Sequence, residues 1–229
     1  MSIRQEKKYT FSSCKISEVR SKILNSKFLM TKRYDNRFVN SIYLDSLNFE
    51  NYAENLSGLS SRSKARIRWY SKNQFGHISE DTELILEIKL RLNGMGNKLS
   101  FPFKLPKNFR NFGANDFILY IRSIIPVSFL PYIDHSNAFT LAVSYEREYY
   151  EDISNKIRAT IDSSIAYASP GINILDVGNM PMYMPEYNVL ELKYPQDIDD
   201  DLVGLNFDDI DITPGRHSKY AVGLNTVLG

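Results

Sequence analysis

Alternation of residue type with a period of two is the pattern that most constrains this chain. Successive side chains of a strand point to opposite faces, so such alternation predicts strands with two chemically different faces. It predicts strands at 3–11, 38–45, 62–71, 83–92, 98–104, 139–150, 156–162 and 188–194. Helical spacing is rarer and predicts helices at 16–27, 48–57, 115–125 and 217–227. We therefore expect a mainly β (α+β) protein, with one antiparallel domain over residues 1–229 and a few peripheral helices.

One predicted strand carries a basic residue at every second position: Arg62, Lys64, Arg66 and Arg68. A strand places these four cations on one face, and the small or apolar residues between them on the other. Three further strands contain Glu-x-Lys, namely Glu6/Lys8, Glu87/Lys89 and Glu191/Lys193. Arg147 and Arg158 occupy two more strands. A solvated face would explain any single strand of this kind, but basic residues on six strands favour a shared, inward-facing surface.

Cations gathered on such a surface would repel one another. At an effective dielectric constant near 20, two like charges about 4 Å apart repel by on the order of 4 kcal/mol. An anion would relieve this repulsion, and arginine and lysine are the side chains that bind phosphate oxygens. Carboxylates among them can hold Mg²⁺ or Mn²⁺, which bridge phosphates. The sequence therefore predicts a site for polyphosphate and a divalent metal.

The overall charge excludes two broad classes of partner. The chain has 28 Lys and Arg residues against 27 Asp and Glu residues, for a net charge of +1, which argues against general binding of nucleic acid or a membrane surface. No apolar run approaches the roughly 18 residues of a membrane span, and the first residues, MSIRQEKKYTF, do not resemble a signal peptide. Cys14 is the only cysteine, so an internal disulfide is impossible. We expect a cytoplasmic protein without a membrane span.

Short motifs along the chain resemble a known family. In order they are Glu6-Lys7-Lys8-Tyr9, Ser41-Ile42-Tyr43-Leu44-Asp45, the run from Arg62 to Tyr70, Leu86-Glu87-Ile88-Lys89, Tyr145-Glu146-Arg147, Arg158-Ala159-Thr160-Ile161-Asp162, Leu190-Glu191-Leu192-Lys193 and Ser218-Lys219-Tyr220. Together they resemble the VTC domain, the polyphosphate polymerase module of the triphosphate tunnel metalloenzyme superfamily. The resemblance extends over about residues 3–222.

The resemblance implies a fold, an activity and a set of site residues. The fold would be an antiparallel, eight-stranded β-tunnel closed as a barrel, and the activity would be transfer of the ATP γ-phosphate to a growing polyphosphate chain with Mn²⁺ or Mg²⁺. The residues implied to hold phosphates are Lys8, Arg66, Arg68, Lys89, Lys98, Arg147, Arg158 and Lys219. Glu191 would be the metal ligand, and Ser218 would bind substrate near the tunnel end. Further residues implied to line the tunnel are Lys64, Glu6, Glu87 and Lys193.

Alternatives within this resemblance stay open. The superfamily often begins with Glu-x-Glu-x-Lys, whereas this chain reads Arg4-Gln5-Glu6-Lys7-Lys8, which favours a polymerase over a hydrolase. A metal-dependent inorganic or nucleoside triphosphatase, or a non-catalytic module that binds polyphosphate or inositol phosphates, would use the same cations. ATP and polyphosphate are the expected partners, and a separate protein could recruit the chain to a membrane. Asp45 is predicted to be a turn or cap residue, and Asp162 shares the face of Arg158.

Overall fold

The computed structural model describes residues 4–93, 95–170, 181–198 and 212–229. Its strands are β1 (Arg4–Ser12), β2 (Thr31–Asp45), β3 (Arg62–Ser71), β4 (Leu84–Leu92), β5 (Met95–Phe103), β6 (Ala138–Glu151), β7 (Arg158–Ala168), β8 (Met182–Tyr183), β9 (Tyr187–Pro195) and β10 (Ile212–Pro214). Its α-helices are α1 (Ile16–Leu24), α2 (Glu50–Ser57), α3 (Ala114–Ile124), α4 (Leu130–His135) and α5 (Lys219–Leu228). The mainly β, antiparallel class is confirmed.

Two compact units divide the chain. Unit 1 comprises Met1–Arg37, Tyr145–Ile165 and Met184–Ser218, and unit 2 comprises Phe38–Ser144, Ala166–Tyr183 and Lys219–Gly229.

Unit 1 contains the strand order β10-β1-β9-β7-β6-β2. Strand β1 pairs antiparallel with β9, so that Lys8 lies opposite Glu191, and β9 pairs antiparallel with β7, so that Glu191 lies opposite Thr160. The other face of these strands is apolar and packs on helix α1, whose Val19 and Ile23 are fully buried. Because one face of these strands is polar and the other is covered by helix α1, polar and apolar residues alternate along each strand.

Unit 2 contains the strand order β6-β2-β3-β4-β5, and β8 pairs with β7. Strands β2 to β5 pair antiparallel in sequence order. Their apolar face carries Ile67, Trp69 and Leu86 into a core that includes Phe117 and Ile133 of helices α3 and α4. Because the apolar side of β3 is fixed to this core, Arg62, Lys64, Arg66 and Arg68 share the opposite face.

Two short-range contacts fix the helices near this face of unit 2. Both carboxylate oxygens of Asp45 accept backbone N–H groups of α2, Oδ1 from Asn51 at 2.9 Å and Oδ2 from Tyr52 at 3.0 Å. This confirms the prediction of a cap, because the first N–H groups of a helix lack partners within the helix. In α5, a Cβ at Gly223 would lie 2.4 Å from Cδ1 of Tyr167, so only glycine allows this close approach of the helix.

Two expectations about the fold need correction. The structure describes ten strands instead of eight, and the hydrogen-bonded series runs from β10 to β5 as an open path within the described residues. A ring of hydrogen bonds, as the expected closed barrel requires, is therefore not observed in that part of the chain.

None of the described helices has both the length and the apolar character to cross a membrane.

Candidate functional site

In unit 2, three neighbouring strands align their charged residues in cross-strand rows. Arg66 of β3 lies opposite Glu87 of β4, and on its other side opposite Tyr43 of β2. The next row brings together three lysines, since Lys64 faces Lys89 and Lys89 faces Lys98 of β5. The pairing therefore assembles basic residues that lie far apart in the sequence.

Glu87 is the acidic centre of this face. Its Oε2 accepts from Arg66 Nε at 2.8 Å and lies 3.4 Å from Arg68 Nη1, while its Oε1 accepts from Lys98 Nζ at 2.9 Å. The carboxylate is only 6% exposed. Burial alone would raise the pKa of Glu87, but the charges of Arg66 and Arg68 and the hydrogen bonds from Lys98 and Arg66 outweigh burial and lower the pKa to about 2. Glu87 therefore stays ionised and holds three cations in place.

Arg68 has a buried donor without a partner. Its side chain is 12% exposed, and Nε lies buried with no hydrogen-bond acceptor among the residues that the structure describes. The hydroxyl of Ser41, directly opposite on β2, is likewise buried and unpartnered. Buried hydrogen-bond donors rarely lack an acceptor. An anionic oxygen of a ligand would satisfy Arg68 Nε and the Ser41 hydroxyl.

Tyr43 supports Arg66 from the side of β2. Arg66 Nη1 donates to the Tyr43 hydroxyl at 3.2 Å, and the Tyr43 ring stacks on Tyr220 with centroids 4.9 Å apart. Burial would raise the pKa of Tyr43, but the charge and hydrogen bond of Arg66, together with the charges of Arg68 and Lys219, lower it. Lys219, the first residue of α5, therefore acts on the same group as Arg66 and Arg68. The Tyr220 hydroxyl in turn donates to Asp45 Oδ2.

In unit 1, two carboxylates and two lysines alternate on the face shared by β1 and β9. Lys8 Nζ lies 2.9 Å from Glu6 and 3.6 Å from Glu191, and Lys193 Nζ lies 2.5 Å from Glu191 and 3.7 Å from Glu6. Burial by itself would favour the uncharged forms of Glu191 and Lys8, but the opposite charges beside them outweigh this effect on their pKa values. The pKa of Glu191 lies well below its usual range because of Lys8, Lys193 and Arg147, and the pKa of Lys8 is raised because of Glu191 and Glu6.

Two arginines of unit 1 each pair with a carboxylate. Arg147 binds Asp162 through two bonds, Nε to Oδ1 at 2.5 Å and Nη2 to Oδ2 at 2.7 Å. Asp162 is fully buried, and although burial would lower the pKa of Arg147, Asp162 raises it well above its usual range. Arg158 is half exposed, and its Nε lies 2.5 Å from Glu151.

The strand register places the predicted site residues in two sets. The unit 1 set is Glu6, Lys8, Arg147, Arg158, Glu191 and Lys193, and the unit 2 set is Lys64, Arg66, Arg68, Glu87, Lys89, Lys98 and Lys219. Ser218 directly precedes α5 and belongs to unit 1. Sequence reasoning missed Tyr43 and Glu151. Tyr43 shares its strand face with Asp45, but a tyrosine in an apolar strand is usually a core residue, so its sequence context did not indicate a site. Glu151 was missed because its pairing with Arg158 depends on the turn between β6 and β7.

The carboxylates fit a divalent ion that phosphate oxygens also coordinate. They do not fit an ion whose ligands are all protein side chains. Among the described residues no group of three or more His, Cys, Asp and Glu side chains could hold a metal. Glu6 and Glu191, however, contact the same two lysines, and Mg²⁺ commonly binds through one or two carboxylates with water and substrate phosphates completing its shell. Glu191 and Glu6 are therefore the residues that would hold it.

Comparison with known proteins identifies relatives by family and by fold. The family model described as "VTC domain" matches residues 3–121 and 133–228. A structure from Hippeastrum, of a candidate adenylyl cyclase described as having a dominant triphosphatase activity, has a TM-score of 0.55 at 13% identity and covers 99% of this chain and 98% of that one. A candidate adenylate cyclase from Vibrio parahaemolyticus has a TM-score of 0.49 at 9% identity, with 96% and 98% covered. No curated protein is significantly similar to this chain.

Proposed function

This chain belongs to the VTC domain family and shares its fold with a protein described as having a dominant triphosphatase activity, and from that premise we propose that it is a polyphosphate polymerase. Its substrates would be ATP and a polyphosphate chain. The γ-phosphate of ATP would pass to the chain end, with ADP as the second product. Phosphoryl transfer asks a protein mainly for positioning and charge neutralisation, which fits a face of arginines and lysines better than one of histidines or serines.

The observation that carries the proposal is the environment of Arg68. A guanidinium Nε that is buried without an acceptor, beside a second arginine held by Glu87, matches the geometry with which arginines bind phosphate oxygens. Arg66 and Arg68 would bind the phosphates that carry charge in the transition state. Tyr43 and Glu87 contact these arginines and would fix their orientation, since a carboxylate repels phosphate and is poorly suited to bind it directly.

In the proposed reaction, a terminal oxygen of the acceptor chain forms a bond to the γ-phosphorus, and the bond from that phosphorus to the β,γ-bridging oxygen breaks. The electron pair leaves with ADP. The attacking oxygen is already anionic, so no general base is needed, and the cations stabilise the charge that moves to the leaving oxygen. Lys219, which shares the electrostatic surroundings of Tyr43 with Arg66 and Arg68, would contribute a further positive charge there.

Mn²⁺ or Mg²⁺ is part of the proposal. When bound, such an ion would neutralise phosphate charge. Glu191 and Glu6 would hold it in exchange for their contacts with Lys8 and Lys193, and the released ammonium groups could then bind phosphate oxygens. Lys8 and Lys193 are proposed on this basis as phosphate ligands of unit 1. The family resemblance leads us to propose Arg147 and Arg158 as further phosphate ligands and Ser218 as a substrate contact.

Incubation of the purified protein with ATP and Mn²⁺, followed by gel separation of the products, tests the proposal. Formation of ADP together with long polyphosphate and little free phosphate would support it. Release of ADP and orthophosphate one for one, without polymer, would instead identify a triphosphatase. If neither product forms but polyphosphate binds tightly, the protein is a binding module and the proposal is wrong.

A further inference from the structure

Asp45 joins three elements of unit 2 at one point. Its carboxylate lies at the end of β2 and is fully buried. Oδ1 accepts the backbone N–H groups of Ser46 at 2.7 Å and of Asn51 at 2.9 Å, and Oδ2 accepts the N–H group of Tyr52 at 3.0 Å. Oδ2 also accepts the hydroxyl of Tyr220. The side chain therefore connects the end of one strand to the starts of two helices, α2 and α5.

A helix cap explains only part of this arrangement. Phe49, at the N-cap of α2, has no side-chain acceptor, so Asp45 accepts the N–H groups of Asn51 and Tyr52 in its place. These two bonds complete the cap of α2. The bond from Tyr220 comes from a helix 175 residues further along the chain and is not needed for that cap. Hydrogen bonds to a carboxylate are about twice as strong as those between neutral groups, so this bond fixes Tyr220 firmly.

The position of Tyr220 determines where the first turn of α5 lies. The residue is almost fully buried, its ring stacks on Tyr43 and its hydroxyl donates to Asp45. Burial and the hydrogen bond to Asp45 raise the pKa of Tyr220 above its usual range, so the hydroxyl stays protonated as a donor. Close packing of Gly223 on Tyr167 fixes the next turn. The start of α5 is therefore held at two successive turns.

Lys219 is the residue whose position depends most directly on this anchor. It directly precedes Tyr220 as the first residue of α5 and is partly buried. Its charge acts on Tyr43, whose hydroxyl accepts from Arg66 at 3.2 Å. The Cα atoms of Lys219 and Tyr220 are adjacent in the chain, so a shift of the tyrosine moves the lysine with it.

We propose that Asp45 and Tyr220 are positioning residues of the phosphate site, and that the bond between them holds the start of α5 where Lys219 binds phosphate. The inference rests on the proposed function, in which Lys219 contributes a positive charge beside Arg66 and Arg68. Neither Asp45 nor Tyr220 would touch the substrate. Without their bond, binding of phosphate would also have to order the first turn of α5, and the entropy lost in that ordering would weaken binding.

Titration calorimetry with inorganic tripolyphosphate, without ATP or metal, tests the inference. Tyr220→Phe keeps the ring that stacks on Tyr43 and removes the hydroxyl, so the affinity should fall about fivefold. Lys219→Ala should lower the affinity about tenfold or more, because a charged contact is lost. The double variant Lys219→Ala/Tyr220→Phe should bind less than about twofold more weakly than Lys219→Ala, because the hydroxyl acts through the lysine. A merely structural role of the hydroxyl would give additive losses.

Tyr150→Phe is the matched control. It removes an equivalent bond in unit 1, from the buried Tyr150 hydroxyl to Glu148 at 2.7 Å, and its affinity should stay within about twofold of the wild type. Asp45→Asn tests the same bond from the other side, because an amide offers one acceptor oxygen in place of two to four donors. It should reproduce the loss, and it replaces Tyr220→Phe if that variant does not fold.

Three results would overturn the positioning role: an unchanged affinity in Tyr220→Phe, an equal loss in Tyr150→Phe, or a further fivefold loss in the double variant. If the wild type does not bind tripolyphosphate, Lys219 holds no phosphate and the inference is wrong as well. A wild type that binds tripolyphosphate but makes no polymer from ATP would refute the polymerase, and the losses measured in the variants would still decide the role of Asp45 and Tyr220.

Discussion

The carboxylates of the two units differ in how many cations each of them holds. In unit 1, four carboxylates (Glu6, Glu151, Asp162 and Glu191) form ion pairs with five cations (Lys8, Arg33, Arg147, Arg158 and Lys193). In unit 2, Glu87 pairs with three cations, Arg66, Arg68 and Lys98. We therefore expect a bound anion to relieve more repulsion beside Glu87, where three cations share one carboxylate, than in unit 1.

This difference suggests a division of roles. A balanced set of carboxylates and lysines can exchange partners, so a divalent ion can take the carboxylates while phosphate takes the lysines. Three cations that share one carboxylate have no such exchange to make, and we expect them to bind anions directly. We accordingly expect loss of a cation in unit 2 to affect phosphate binding itself, and loss of a carboxylate in unit 1 to affect the dependence on metal.

The largest effect is expected for Arg66→Ala. This change removes a cation that would bind the transferring phosphate and leaves Glu87 with one fewer partner, so synthesis of polyphosphate should fall about a thousandfold or more, as for other arginines that stabilise a transferring phosphoryl group. Arg33→Ala, which removes an exposed arginine paired with Glu151 in unit 1, is the control and should change the rate less than about fivefold. Initial rates of ADP release and gel analysis of the polymer provide the measurement. Equal losses in the two variants would contradict the comparison.

Glu191→Gln should reduce synthesis on the order of a hundredfold, because a hard divalent ion needs the carboxylate charge. Binding of tripolyphosphate without metal should be unchanged or tighter, since Lys8 and Lys193 lose a competing partner. Rates measured over a range of Mn²⁺ concentration should show a weakened apparent metal affinity. Glu186→Gln, an exposed glutamate of the same unit, should leave the metal dependence unchanged. A normal metal profile in Glu191→Gln would assign the ion to other residues.

Glu87→Gln should destabilise the protein by about 3 kcal/mol at neutral pH. The pKa of Glu87 falls from 4.5 to about 2 on folding, and a shift of roughly 2.5 units corresponds to about that free energy. Because the folded-state pKa is the lower one, this stabilisation is complete above about pH 4.5 and is lost as the pH falls toward about 2. The midpoint of thermal unfolding should drop by roughly 6–12 °C.

Two further measurements make the Glu87→Gln experiment decisive. The difference in stability between wild type and variant should shrink as the pH is lowered from about 4.5 to about 2, and tripolyphosphate should restore part of the lost stability by supplying negative charge to Arg66 and Arg68. A difference that is constant over this pH range would show that the carboxylate charge does not stabilise the cluster of Arg66, Arg68 and Lys98 around Glu87.

The sequence predicted strands better than it predicted their contacts. All eight predicted strands exist, because alternation reflects the two faces of a strand regardless of its neighbours. The first half of β2 was missed because residues 31–37, TKRYDNR, are all exposed and carry no apolar alternation. The short strand β10 was also missed, because three residues carry too little pattern to separate a strand from a turn.

The candidate site was predictable in its residue types and not in its pairings. Alternation alone puts Arg66 and Arg68 on one face, but the register that brings Glu87 opposite Arg66 and Lys98 opposite Lys89 depends on the turns between strands. The bidentate contact between Arg147 and Asp162 joins two strands in the same way. Glu87 was predicted to line the tunnel as a substrate contact, and that role stays a prediction; its contacts with Arg66, Arg68 and Lys98 could not be predicted without the register.

The smallest effect is expected for Tyr43→Phe, which keeps the ring that stacks on Tyr220 but removes the hydroxyl that accepts from Arg66. Loss of one such hydrogen bond typically costs about 1 kcal/mol, so kcat/KM for ATP should fall about fivefold. Because the charges of Arg66 and its neighbours lower the pKa of Tyr43, an ultraviolet titration of the wild type should show a tyrosine that ionises at a lower pH than an ordinary tyrosine. That component should be absent from Tyr43→Phe and retained in Tyr183→Phe, which alters an exposed tyrosine of unit 2. Identical titrations of wild type and Tyr43→Phe would show that Tyr43 does not share the positive environment of Arg66 and Arg68.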